Sequence, residues 1–216
     1  NLQCLVKLVL LGQLVLCQII FLLTSLKMNN IILITGTRKG IGKNLSEYFL
    51  SKGYIVYGCS RRPGSITHEN YFHFQLDVAN EIDVLKMVKN IYSKHKKIDI
   101  LINNAGAASM NHFLLTPYST LKKPFETNYF GTFLFSREVG KIMMKNKSGR
   151  IINFSTVAVP LNLQGELVYS SSKSAVEQLT KVLAISLLTA VPKYIFFNSG
   201  GTVCNSLLSL SVLIML

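Results

Sequence analysis

The apolar positions of this chain follow two periods, and their alternation predicts the fold. Ile31-Ile32-Leu33-Ile34 is an unbroken aliphatic run, the pattern of a strand buried on both faces. Ile41, Leu45, Tyr48 and Phe49 then recur at helical spacing. The alternation repeats downstream. Residues 54–59, after the turn at Gly53, read as a second strand, and 71–76 as a third. Residues 81–94 read as a helix with Ile82, Leu85, Val88 and Tyr92 on its apolar face. A fourth strand is placed at 98–102. Pro117 and Pro124 punctuate the next region, so a long helix is placed from about Phe125 to Met144, ended by Ser148-Gly149. Residues 150–154 form the fifth predicted strand and 160–165 a loop. Residues 166–188 read as a helix with Val176, Leu179, Val182 and Leu183 as its buried stripe, closed by Pro192. Strands alternating with helices predict an α/β fold, with a parallel sheet covered by helices on both faces. Ligands of such sheets bind at the carboxyl ends of the strands.

The first strand runs into Thr35-Gly36-Thr37-Arg38-Lys39-Gly40-Ile41-Gly42 and then into a helix. Glycines tolerate positive φ and lack a Cβ, as a tight strand-to-helix turn requires. The free N–H groups at the helix start, with the helix dipole behind them, suit a phosphate. The spacing Gly-x-x-x-Gly-x-Gly differs from the G-x-G-x-x-G dinucleotide fingerprint.

A chain of 216 residues can bury one core and make one domain. Its 23 basic and 10 acidic residues leave +13, which points to an anionic partner. The cations are scattered, however. Lys94, Lys96 and Lys97 follow one helix, and Lys141, Lys145, Lys147 and Arg150 follow another, where they offset helix dipoles. No nucleic-acid-binding motif is present, and nucleic acid is not an expected partner. Cys4, Cys17, Cys59 and Cys204 are not paired at metal-ligand spacing, so no metal is expected, and reduced thiols in a cytoplasmic protein are. Residues 1–27 stand apart. Residues 8–26 carry no charge and are long enough to span a bilayer. Three accounts fit them: sequence upstream of a natural start at Met28 or otherwise non-native, a membrane anchor, or a packed helix. Membrane contact is expected only through this segment.

Tyr169-Ser170-Ser171-Ser172-Lys173 places a phenol and an ammonium four residues apart, on one face of the last long helix. A phenol near its ordinary pKa of about 10 is a poor base at neutral pH, and a nearby ammonium favours the phenolate. Such a pair can move a proton to or from a carbonyl or alcohol oxygen. Thr156, thirteen residues before Tyr169 and next to Ser155, offers a hydroxyl to hold that oxygen.

Taken together, the 35–42 loop, Asn103-Asn104-Ala105-Gly106, Asn128, Ser155-Thr156 and Tyr169 with Lys173 occur in an order and spacing that resemble the short-chain dehydrogenase/reductase family. The resemblance covers residues 29 to about 188. It implies a Rossmann-type doubly wound parallel sheet and an oxidoreductase that moves a hydride between a nicotinamide cofactor and a carbonyl or alcohol. It implies Tyr169 as acid/base, Lys173 as the group that lowers its pKa and binds the nicotinamide ribose, and Thr156 as the hydroxyl orienting the substrate, with Ser155 as fallback. Asn128, within Glu126-Thr127-Asn128-Tyr129-Phe130-Gly131, matches an asparagine that supports a proton relay. Gly36, Thr37, Arg38, Lys39, Gly40, Ile41 and Gly42 would hold the cofactor's phosphates. Asn104, Ala105 and Gly106 would line the adenine-ribose side, and Asp77 with Val78 the adenine. At the end of the second strand, Ser60, Arg61 and Arg62 stand where an acidic residue would select NAD(H), so NADP(H) is expected over NAD(H). Within the family, Asn153-Phe154-Ser155-Thr156-Val157-Ala158 is similar to 3-oxoacyl-carrier-protein reductases. This implies a small-molecule or acyl-carrier-bound ketone as substrate and a homo-oligomer.

After residue 188 the family pattern fades. Residues 194–198 are placed as a sixth strand, and Ser199-Gly200-Gly201-Thr202 where a Pro-Gly turn belongs. The expected organisation is therefore residues 1–27 as an apolar leader, 28–198 as the nucleotide-binding domain, and 199–216 as an atypical apolar tail, the C-terminal part being truncated or divergent. A second class of function stays open: a non-catalytic nucleotide-binding or membrane-associated remnant of the same fold.

Overall fold

The structure, a computed structural model, describes residues 30–188 and the backbone of three short strands beyond them. Residues 1–27, and the Pro192 and 199–202 turns, lie outside the described residues. The elements are β1 (Ile31–Thr35), α1 (Gly40–Ser51), β2 (Ile55–Ser60), β3 (Tyr71–Gln75), α2 (Glu81–His95), β4 (Ile100–Asn103), α3 (Tyr118–Phe125), α4 (Gly131–Asn146), β5 (Arg150–Ser155), α5 (Ala158–Leu161), α6 (Leu167–Leu188), β6 (Phe196–Phe197), β7 (Val203–Cys204) and β8 (Ser211–Met215). A single 3-10 turn, Phe113–Leu115, precedes α3, and a π-helical turn, Glu126–Phe130, joins α3 to α4.

The main sheet is parallel throughout, in the order β3-β2-β1-β4-β5-β8. The chain starts in the middle, winds outward to β3, then crosses β1 to continue through β4. The reversal between β1 and β4 opens a crevice at their carboxyl ends, where doubly wound sheets bind ligands. Successive side chains of β1 feed opposite cores. Ile31 and Leu33 pack with Leu101, Ile151 and the inner faces of α2 and α4, through Val84, Met87, Phe135 and Val139. Ile32 and Ile34 pack with Val56, Ile102, Ile152 and with Leu45 and Phe49 of α1. Both cores exclude water, so the continuous aliphatic run is required, and each such side chain contributes about 1.5–3 kcal/mol by burial.

Three differences from the sequence-based expectation have physical causes. First, α2 buries Val84, Met87, Val88 and Ile91, whereas Ile82 is 65% exposed. Second, the helical run before β5 begins at Tyr118, just after Pro117, and carries Pro124 inside it. The missing Pro124 N–H is followed by the wider π turn, so the proline is absorbed by the helix instead of ending it. Third, the strand beside β5 is β8, pairing from Ile151 with Ser211 to Ser155 with Met215. The Ser-Val-Leu-Ile-Met run suits a strand in a parallel sheet. Phe196–Phe197, where the sixth strand was expected, instead pairs antiparallel with Val203–Cys204. Among the described residues, no helix is long and apolar enough to cross a membrane.

Candidate active site

The crevice at the β1–β4 reversal is built from backbone first. Gly36 has φ +76°, and a Cβ there would lie 2.9 Å from Ala105 Cα. A Cβ on Gly42 would lie 2.3 Å from the Gly36 carbonyl oxygen. Helix α1 can therefore press its first turn against the end of β1 only because both positions are glycine. The loop after β4 is fastened to the same place: Asn104 Nδ2 donates to the carbonyls of Thr35 (2.9 Å) and Gly36 (3.2 Å), and Ala105 N–H donates to Thr35 Oγ1 (2.9 Å). The start of α1 has no side-chain cap and no acidic residue in its first turn. Its first N–H groups and its positive dipole end thus face the crevice.

The resulting cleft encloses about 1030 Å³. Of the proposed cofactor residues it is lined by Gly36, Arg38, Lys39, Gly40, Ile41, Ser60, Arg61, Arg62, Asp77, Val78, Asn104, Ala105 and Gly106. Among the described residues, no ion pair engages Arg38, Lys39, Arg61 or Arg62, so four cations line this cleft without ion-pair partners. Asp77 turns one oxygen to the Ala79 N–H (3.0 Å). Ser60 Oγ donates to the Arg62 carbonyl (2.7 Å), which shapes the loop after β2.

Two residues of the glycine loop stand behind this wall, not in it. Thr37 is fully buried, and its hydroxyl is bonded to the Tyr71 hydroxyl at 2.7 Å. Its side chain therefore anchors the loop to β3 and is not offered to a ligand. Gly42 is buried against Gly36 and acts by allowing the close approach. Three lining residues were not anticipated: Leu76, Lys123 and Thr127. Lys123 and Thr127 come from α3 and the π turn; Thr127 stands beside Asn128 in the stretch already singled out, but only Asn128 was marked there.

At the carboxyl end of β5 the chain brings Thr156, Tyr169 and Lys173 together. Ser155 and Thr156 are neighbours at a strand end, so their side chains point to opposite sides. Ser155 Oγ donates to the Glu177 carboxylate and is fully buried, which removes it as the fallback hydroxyl. Thr156 Oγ1 accepts from the Ala158 N–H (3.2 Å) and hydrogen-bonds the Tyr169 phenol. Lys173 Nζ donates to the Phe154 carbonyl (2.8 Å) and lies 6.0 Å from the Tyr169 ring centroid. Burial brings the Lys173 pKa down to about 8. The Tyr169 pKa is raised, chiefly by burial, against the opposing hydrogen bond from Thr156 and with a further rise from the Glu166 carboxylate. The spacing argument anticipated a lowered phenol pKa. Burial penalises both charged forms, and the ammonium spends one donor on a backbone carbonyl, so the phenol stays protonated.

Asn128 occupies the π turn and is fully buried. Its Oδ1 accepts from Ala107 N–H (2.7 Å), and its Nδ2 donates to the Ala107 carbonyl (2.8 Å) and to Ser172 Oγ (2.9 Å). Ser172 Oγ in turn donates to the Tyr169 carbonyl (2.8 Å). The asparagine side chain thus clamps the loop after β4 to the helix that carries Tyr169 and Lys173. Among the described residues, no group of His, Cys, Asp and Glu is clustered as metal ligands would be.

Known proteins resemble this chain in sequence and in fold. The family model described as short chain dehydrogenase matches residues 30–191. A 3-ketodihydrosphingosine reductase from Bacteroides thetaiotaomicron is 35% identical over 160 residues, covering 73% of this chain and 58% of that protein. A 3-oxoacyl-acyl-carrier-protein reductase from Buchnera aphidicola subsp. Acyrthosiphon pisum is 32% identical over 160 residues, covering 71% and 66%. The chain thus spans slightly under two thirds of the length of these relatives. Among solved structures, ElxO with NADP bound superposes with a TM-score of 0.72 at 32% identity, covering 76% of this chain and 70% of the other. With the matched model spanning most of the chain and the glycine loop, Asn128, Thr156, Tyr169 and Lys173 gathered at one sheet end, the chain belongs to the short-chain dehydrogenase family.

Proposed function

We propose that the chain carries the catalytic half of an NADP(H)-dependent oxidoreductase that interconverts a ketone and a secondary alcohol. The observation that carries this reading is the convergence of Thr156, Tyr169 and Lys173 next to the glycine-loop cleft, where a Cβ on the lining residue Gly106 would lie 4.0 Å from Lys173 Nζ. The cleft fits a dinucleotide on its own evidence: uncapped N–H groups at the start of α1, glycines whose Cβ atoms would block the turn, and unpaired cations at the β2 end. The same cations support NADP(H) over NAD(H), because a guanidinium suits a 2′-phosphate. That relatives include two ketone reductases by name, and a neighbour with NADP bound, supports the same assignment.

When bound, the nicotinamide supplies the hydride for the carbonyl carbon. In the reductive direction Tyr169 gives its proton to the carbonyl oxygen, which its raised pKa equips it to do at neutral pH. Thr156 donates to the same oxygen and orients it. Lys173, largely protonated at neutral pH, stabilises the phenolate as it forms. Asn128 holds the loop of Gly106 against this helix. The substrate is a 3-oxoacyl compound or another ketone. Tyr169→Phe keeps the ring and loses only the hydroxyl. It is expected to bind NADPH as the parent does and to lose roughly a hundredfold or more in turnover of ketones. Turnover within a few-fold of the parent would remove Tyr169 from the role.

A further inference from the structure

The loop that carries Arg61 and Arg62 is fastened by β3, an edge strand of the main sheet. Alternate residues of a strand share a face. One face of β3 turns Phe72 and Phe74 to the core around Tyr57. The other carries Tyr71, His73 and Gln75, and each reaches a loop beside the cofactor cleft. Tyr71 Oη lies 2.7 Å from Thr37 Oγ1 in the glycine loop. His73 Nε2 lies 3.1 Å from the Arg62 carbonyl and 3.1 Å from Ser60 Oγ. Gln75 Nε2 donates to the Arg61 carbonyl (3.2 Å). Within this face, Tyr71 Oη and His73 Nδ1 are 3.0 Å apart. Two glycines permit the contacts. A Cβ on Gly58 would lie 2.3 Å from Tyr71 Oη and 2.4 Å from Thr37 Oγ1, and one on Gly64 would lie 2.8 Å from His73 Cγ. The loop after β2 therefore returns against the imidazole, and Ser65 beyond it donates to the Arg38 carbonyl (2.8 Å). The backbones of all three arginines of the cleft are held by side chains, with His73 in the middle of the set.

The order of donors follows from Ser60, which spends its proton on the Arg62 carbonyl (2.7 Å). A carbonyl only accepts, and the Ser60 oxygen has no second proton, so His73 Nε2 must carry the hydrogen that faces them. In the neutral ring Nδ1 is then an acceptor, and the Tyr71 hydroxyl donates to it. Burial raises the Tyr71 pKa, against the opposing hydrogen bond with Thr37, so the phenol keeps the proton it donates. Tyr71 Oη accepts in turn from Thr37, whose hydroxyl is fully buried. One direction, from Thr37 through Tyr71 and His73 to the Arg62 carbonyl, gives every hydroxyl and both ring nitrogens a partner. It also joins the glycine loop to the loop after β2 through side chains that stand behind the cleft.

Resting on the NADP(H) reading, we propose that His73 is a positioning residue for the cofactor's 2′-phosphate: with hydrogen on Nε2 it locks the Ser60–Arg62 turn to the glycine loop, so that guanidinium groups from both loops meet the phosphate already in place. A loop fixed beforehand avoids the ordering cost of binding. NADH lacks the 2′-phosphate and gains nothing from the lock.

The test is fluorescence titration of NADPH and NADH with the parent, His73→Phe and His73→Gln. His73→Phe keeps a planar ring and loses both nitrogens. It is expected to weaken NADPH about tenfold while NADH stays within about twofold of the parent. His73→Gln returns an N–H near the place of Nε2 and should bring NADPH back to within about threefold of the parent. A merely structural role would move both cofactors together. Equal weakening of the two, unchanged NADPH binding in His73→Phe, or no recovery in His73→Gln overturns the proposal. A parent that prefers NADPH while His73→Phe is silent sinks the proposal alone. A parent without that preference fails the NADP(H) reading and the proposal with it. Should His73→Phe not fold, the parent decides by nitrogen-15 NMR of its histidine side chains at mildly alkaline pH, with the His73 signals identified by their loss in His73→Gln. Hydrogen on Nε2 and a bare Nδ1 are expected, and the opposite tautomer overturns the proposal, because a lone pair would then face the Arg62 carbonyl.

Discussion

The Asn128 amide donates to Ser172 Oγ over 2.9 Å, and this one bond ties the π turn to the helix bearing Tyr169 and Lys173. Both residues are fully buried, so water cannot replace a lost partner cheaply. Ser172→Ala leaves an Asn128 amide proton without that acceptor, which costs roughly 1–3 kcal/mol. The expected outcome is an unfolding free energy lowered by that amount, read from a lower denaturant midpoint at constant m-value. Because the partner bonds to Ala107 remain, the fold should persist, and the loss should appear more in kcat than in NADPH affinity. A stability change within about 0.3 kcal/mol of zero would show that the bond carries no weight.

Two glycines inside helices should respond to alanine with opposite signs. Alanine is favoured over glycine in a helix by about 1 kcal/mol. At Gly140 in α4 a Cβ meets nothing within 4 Å, so Gly140→Ala should stabilise by about 0.5–1 kcal/mol. At Gly42 the Cβ would fall 2.3 Å from a backbone oxygen that has no freedom to yield, and overpacking of about 2 kcal/mol or more outweighs the helix term. Gly42→Ala should therefore unfold earlier and bind NADPH more weakly, since the displaced α1 start faces the cleft. Thermal denaturation of both variants side by side checks the signs.

The parts of this fold that a linear reading reaches are those where one pattern excludes the others. Ile31–Ile34 could only be a strand buried on both faces, and the Gly36–Gly42 spacing marked the turn that follows. The α2 stripe was less determinate, because Ile82-Leu85-Val88-Tyr92 and Val84-Met87-Val88-Ile91 both repeat at helical spacing. Which set turns inward is decided by how the helix docks against β1 and β4, and that is a tertiary fact. At the site, Tyr169 and Lys173 are legible from spacing, but the direction of the phenol's pKa is not, because it depends on burial. Thr37 was read as a ligand contact, since its long-range partner Tyr71 lies thirty-four residues away and only the strand order brings them together. The choice between Ser155 and Thr156 likewise needed the pleat at the end of β5, which sends one hydroxyl to Glu177 and the other to Tyr169.

Lys173 makes stability depend on pH in a way that a single substitution isolates. Its folded pKa of about 8 lies below the ordinary 10.5. Below pH 8 both states are protonated, and the folded state bears the full cost of a buried ammonium. As pH rises from 8 towards 10.5 the folded lysine loses its proton first, the unfolded chain binds more protons, and stability increases. Cys59, raised to about 12, and the buried tyrosines act in the opposite sense at high pH, but they are common to parent and variant. Relative to Lys173→Met, the parent should therefore gain roughly 1 kcal/mol between pH 7 and pH 9. Urea titrations of both proteins at the two pH values measure it. A constant difference would mean that Lys173 titrates near its ordinary value when folded.

Cofactor preference is the sharpest test of the cleft. The end of β2 reads Gly58-Cys59-Ser60-Arg61-Arg62, without a carboxylate, and Arg38 with Lys39 approaches from the glycine loop. An acidic residue at this place accepts from a ribose 2′-hydroxyl and repels a 2′-phosphate, whereas a guanidinium binds the phosphate through parallel hydrogen bonds. Solvated surface arginines would serve no such purpose, but these four cations line one cleft, and no ion pair among the described residues engages them. Arg61 and Arg38 are expected to make the main contacts, with Lys39 and Arg62 in support. Arg61→Asp should weaken NADPH by roughly 2 kcal/mol or more, near thirtyfold, because it removes a charge-assisted bond and adds repulsion. NADH should be weakened far less, since it lacks the phosphate, and the new carboxylate can take its 2′-hydroxyl. The NADPH affinity of the parent should also fall steeply with salt, and that slope should lessen in the variant. Fluorescence titration of both cofactors decides the matter: equal or tighter NADH binding by the unsubstituted protein removes these arginines from the 2′-phosphate.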